Sequence, residues 1–122
     1  MAVQIIEDGP RNIVVKIDDT GTGAGTAVDV SALVPSCTLV NIDRIWFSCP
    51  DSGGCTIAWD ATADVTAINL NEVQDFDFHK FGGLTNNAGA GVTGDINYTG
   101  IGTGNFTVIL WCTKRGIIDP EL

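Results

Sequence analysis

Turn-forming residues cut this chain into pieces too short for helices. Asp8-Gly9-Pro10, Gly21 to Gly25, Pro50 to Gly54, Gly82-Gly83 and Gly100 to Gly104 each supply the φ freedom or rigidity that a reversal needs. Between them no window keeps a helical period, and β-branched and aromatic residues alternate with polar ones. Strands are expected at 2–7, 11–18, 26–34, 38–49, 55–60, 64–70, 74–79, 94–99 and 105–115. With 15 glycines in 122 residues, this pattern predicts an all-β single domain over 1–122. The expected form is an antiparallel β-sandwich, jelly-roll-like, of roughly eight or nine short strands. Residues 1–10 are open to reading as an extended N-terminal arm, and 116–122 as a C-terminal tail.

The loop Cys49-Pro50-Asp51-Ser52-Gly53-Gly54-Cys55 invites three readings. A nucleophilic Ser52 needs a base held by a third group. The single histidine, His79, follows it in the chain, the reverse of the chymotrypsin order. Zinc needs about four Cys or His ligands in close pairs, whereas Cys37 and Cys112 fall inside apolar segments. The third reading is a hairpin turn. Stepping outward from Cys49 opposite Cys55 sets Phe47 against Ile57, Ile45 against Trp59, Trp46 against Ala58 and Arg44 against Asp60, pairs that a ladder favours. That register predicts a turn with φ > 0 available to either glycine. It also leaves Cys49 and Cys55 open to a cross-strand disulfide or to a role as two small apolar thiols on the core face.

Other candidate chemistry has a plainer reading beside it. Asp75, Asp77 and His79 share one face of a strand and could hold a divalent cation, or form the polar outer face of a half-buried strand. Asp60-Ala61-Thr62-Ala63-Asp64 begins like a calcium loop but lacks its glycine and closing glutamate. Gly21-Thr22-Gly23-Ala24-Gly25 leads into β-branched residues instead of the helix N-terminus that a phosphate cradle needs. Asn97 and Asn105 match the glycosylation pattern. Trp46, Trp59 and Trp111 could stack on sugars, but the hairpin register puts Trp46 and Trp59 on opposite faces. The residues therefore predict no catalytic set, no cofactor and no metal.

Charge narrows the partners. Fifteen acidic against six basic residues leave a net charge of -9, which repels phosphate backbones and anionic lipid, so neither nucleic acid nor membrane is expected as a partner. The opening Met-Ala-Val-Gln-Ile-Ile-Glu has neither a basic n-region nor an apolar run, so synthesis in a cytosol and reduced thiols are expected.

Four stretches then occur in a suggestive order: Trp59-Asp60-Ala61-Thr62-Ala63-Asp64; Asp75-Phe76-Asp77-Phe78 leading to Gly82-Gly83-Leu84; Gly94-Asp95-Ile96-Asn97-Tyr98-Thr99; and Phe106-Thr107-Val108-Ile109-Leu110-Trp111 with Lys114-Arg115. Together, over residues 38–115, they resemble small structural proteins of tailed-bacteriophage virions, of the head decoration (cement) type. Residues 1–37 carry no such match. The resemblance implies a β-sandwich that trimerises and clamps neighbouring subunits of the major capsid protein from the outer capsid surface, after synthesis in the host cytoplasm. It implies no catalytic residue. In that setting Val3, Ile5 and Ile6 are candidate partner contacts, either on an arm that adds to a neighbour or on an edge strand of the chain's own sheet. The rival readings are a carbohydrate-binding or host-adhesion module, and a tail or neck protein of the same virion.

Overall fold

A computed structural model describes residues 3–49, 53–78, 80 and 82–117. Nine strands form among them: β1 (Val3–Asp8), β2 (Asn12–Thr20), β3 (Ala24–Val28), β4 (Leu39–Ser48), β5 (Gly53–Trp59), β6 (Val65–Leu70), β7 (Val73–Asp77), β8 (Ile96–Gly102) and β9 (Asn105–Arg115). They build two antiparallel sheets. One is five-stranded in the order β1-β2-β9-β4-β7, and the other is four-stranded in the order β3-β8-β5-β6.

That order is a jelly roll with one strand added. From β2 to β5 the chain changes sheet at every step, and it does so again from β6 to β9. Only β1–β2 and β5–β6 are sequential neighbours within a sheet. The longest unbroken ladder joins β2 to β9, from Asn12 opposite Thr113 to Thr20 opposite Asn105. Ile13, Val15 and Ile17 on β2 meet Phe106, Val108, Leu110 and Cys112 on β9 as one inward surface, every one of them buried. Ile57, Trp59, Ile96 and Tyr98 close the core from the opposite sheet. Period-two burial along both strands is the cause: one face must leave water and the other stays half-wet.

Most strand boundaries agree with the sequence, but Ala24-Gly25 and Gly100 to Gly102, expected in turns, belong to β3 and β8, and a further difference lies at 26–34. There β3 ends at Val28 and a single 3-10 turn, Val30–Ala32, follows, because the Asp29 carboxylate accepts the Ser31 N–H at 3.1 Å and caps it.

The hairpin register expected around Cys49 and Cys55 is overturned. β4 and β5 lie in opposite sheets, so neither is the other's ladder partner. Ile45 faces Phe76 and Leu110, and Trp59 faces Val65 and Ile96. Arg44 pairs with Asp75, not Asp60. Gly53 and Gly54 are strand residues rather than turn residues, and neither takes a positive φ. They are needed because neighbouring strands pass too close for a side chain. A Cβ on Gly54 would lie 2.3 Å from the Leu70 carbonyl oxygen. Pro50, Asp51, Ser52 and His79 lie outside the described residues.

Candidate functional site

Val3, Ile5 and Ile6 sit on β1, at the edge of the five-stranded sheet. Val3 faces Ile17 and packs against the core, and Ile5 faces Val15. The register shifts between Ile5 and Glu7, leaving Ile6 as an extra residue in a bulge. Ile5 and Ile6 are 49% and 54% exposed. Of the two readings open for this segment, the structure gives an edge strand: Val3–Asp8 is paired to β2 and is not a free arm. Among the described residues its other edge carries no strand, and beside it a cleft of about 740 Å³ opens between β1 and β3.

The outer face of the same sheet holds a second cluster. Arg44 and Trp46 alternate on β4 and lie opposite Trp111 and Ile109 of β9. The Arg44 guanidinium caps the Trp111 ring at 5.0 Å and grips both carboxylate oxygens of Asp75, with Nε 2.9 Å from Oδ1. The hydrogen bond to Arg44 holds the Asp75 carboxyl below the usual carboxylate range, and the same bond raises Arg44. Trp46 and Trp111 are half-buried on this face, while Trp59 lies in the core with 1% exposure. The sequence therefore separated Trp46 from Trp59 correctly, for a wrong reason. It missed that Trp46 and Trp111 share a face, because only the β4–β9 ladder, far apart in the chain, brings them together. Asp75 is spent on Arg44, and Asp77 is engaged as well.

A third cluster joins two of the stretches that carried the resemblance. Asn97 donates through Nδ2 to Asp60 Oδ1 at 2.8 Å and to Asp64 Oδ2 at 3.1 Å. Thr93 Oγ1 donates to Asp60 Oδ2 at 2.7 Å, and the Asp60 N–H donates to the Asp95 carbonyl at 3.0 Å. Asp64 is held below its usual pKa by the Ala61 N–H and then by Asn97. Burial raises Asp95, whose Oδ1 accepts the Val30 N–H at 3.0 Å. These carboxylates are satisfied by the chain's own donors, which ties the β5–β6 turn to the entry of β8.

The cysteines are all free and buried. A Cys49–Cys55 disulfide is not formed: Cys55 faces Leu70 and Gly100, while the Cys49 N–H donates to the Glu72 carbonyl at 2.6 Å beyond the end of β4. Burial raises the Cys55 thiol to about 12 and pushes Cys112 up as well. Among the described residues no group of three or more His, Cys, Asp or Glu side chains is arranged to hold a metal ion. No helix among them is long and apolar enough to cross a membrane.

No protein-family model matches this sequence, and no curated protein does. Among solved structures, a cupin domain from Bordetella pertussis Tohama I is 12% identical to this chain, covers 92% of it and 91% of its own length, and superposes with a TM-score of 0.44.

Proposed function

We propose that this chain is a non-enzymatic structural protein of a tailed-phage virion, which decorates and cements the capsid by bridging neighbouring subunits of the major capsid protein. The observation that carries the reading is the meeting of Trp59–Asp64 with Gly94–Thr99 in one hydrogen-bonded network. Two stretches that resemble decoration proteins are thus parts of one structural unit. A shell protein also needs rigidity without reactive groups. The cysteines here are buried, and the acidic exterior would keep particles apart in solution. Cyclic self-association into a trimer would multiply weak contacts to the shell. The test is a cryo-EM map of the source particle with light scattering on the purified protein. Density for this jelly roll at the local threefold axes of the shell, and a trimeric mass on the particle, are expected. Density confined to the tail or neck, or none at all, refutes it.

One observation favours a second reading, a carbohydrate-binding or host-adhesion module. Trp46 and Trp111 share an outer face with Arg44 and Asp75, a combination of aromatic surface and charged hydrogen-bonding groups that suits a sugar ring. A saturating glycan titration followed by tryptophan fluorescence, lost in Trp111→Ala, would decide for it.

A further inference from the structure

The jelly roll has two free strand edges on one side. β1 ends the five-stranded sheet and β3 ends the four-stranded sheet, and among the described residues no strand pairs with the outer edge of either. The cleft between them reaches the core: Ile13, Val28 and Leu33, all buried, form its floor, and Ile5, half-exposed, stands at its mouth. On the opposite side of the sandwich, β7 and β6 are the sheet ends, and Phe76 and Phe78 stack between 5.7 and 6.3 Å from their aromatic neighbours there.

We infer that this cleft is a docking groove for an extended peptide segment of a partner protein, with alternate apolar side chains and basic flanking residues. Two features select that occupant. First, β1 runs six residues, about 20 Å, beside an apolar floor. An added strand can satisfy its unpaired backbone groups and insert every second side chain, which an apolar small molecule cannot do. Second, the charged side chain that lines the groove is acidic. Asp29 lines it, Glu7 lies on β1, and the whole chain carries -9. A second copy would bring like charges together, whereas Lys or Arg flanks would be attracted. The partner is thus defined by chemistry alone, and the inference stands apart from the virion reading.

The test is a library of random peptides, each roughly ten residues long to match the strand, displayed on yeast and selected on the purified, folded protein. Enriched sequences should alternate apolar positions and carry Lys or Arg at a flank. A synthetic winner should slow hydrogen exchange in Val3–Asp8 or Ala24–Val28 of the wild-type protein. Ile5→Asp should weaken it at least about tenfold, while Ile101→Asp, an exposed position on β8 outside the cleft, should not. An absence of enrichment, winners without alternation, or protection elsewhere overturns the proposal. Protection of the same amides by decanoate but by no peptide reassigns the groove to small apolar ligands. Self-association abolished by Ile5→Asp reassigns it to a second copy. Failure on the capsid with success on the peptide would sink the virion reading and leave this one standing.

Discussion

Lys114 on the last strand lies with its Nζ 2.6 Å from Oδ1 of Asp8 at the end of the first, and the lysine side chain is wholly excluded from solvent. The same ammonium donates to the Pro35 carbonyl at 2.9 Å, while the other Asp8 oxygen accepts the Val34 N–H at 2.9 Å. Three segments distant in sequence therefore close one end of the sandwich through a single charged pair. By sequence Lys114 is the basic end of the last strand; the structure turns it inward.

Removing one partner leaves the other buried and uncompensated. Asp8→Ala should cost about 3 kcal/mol or more in urea denaturation. Adding Lys114→Met to it should recover part of that loss, because the stranded charge is then gone. Strictly additive losses from the two substitutions would show that the pair is not coupled.

Gly54→Ala should destabilise by about 3 kcal/mol, since its Cβ would meet a backbone carbonyl that cannot swing aside. Gly89→Ala, which meets nothing within 4 Å, should fall within about 0.5 kcal/mol of wild type. Thermal melts of the two variants side by side check the contrast, and equal melting temperatures would refute the close approach of β5 to β6.

Tyr98 on β8 donates its hydroxyl to Asp19 Oδ2 on β2 at 2.7 Å, a bond between the two sheets. That bond first, and the Thr20 N–H second, hold Asp19 below the ordinary 3.8. A carboxylate depressed in the folded state stabilises it above the unfolded pKa, and the benefit fades as pH falls through the folded value. Tyr98→Phe should therefore be less stable than wild type at neutral pH and lose less stability on acidification below about pH 4. Parallel stability-versus-pH curves for the two proteins would contradict this.

The thiols should be silent in the native protein. Cys55, raised to about 12 by burial, stays protonated at mildly alkaline pH, and thiolate is the reactive form. Mass spectrometry after iodoacetamide treatment should find all four cysteines unmodified when folded and all four alkylated in concentrated guanidinium. Rapid labelling of Cys55 or Cys112 in the native state would mean that the core opens far more readily than its packing implies.

The sequence by itself determined where the strands run and which side chains leave water. Gly9, Pro10 and the glycines after Thr20 mark reversals by their backbone chemistry. The alternation of Ile13, Val15 and Ile17, and of Phe106, Val108 and Leu110, fixes an inward face whatever the partners are. The same reasoning put Ile45, Phe47, Cys49, Cys55, Ile57 and Trp59 on the core side, and all six are buried. Only the tertiary structure decided how they meet. In a sandwich the two sheets share one interior, so a strand that pairs across a turn and a strand that crosses to the other sheet bury the same residues. Period-two alternation cannot tell these apart. The β4–β5 hairpin failed on that degeneracy, and with it the Arg44–Asp60 pair and the opposed cysteines. The Asp8–Lys114 lock, the shared face of Trp46 and Trp111, and the cleft between β1 and β3 all depend on ladders closed between ends of the chain. No local pattern of side chains encodes such closures, because their free energy comes from burying both sheets at once.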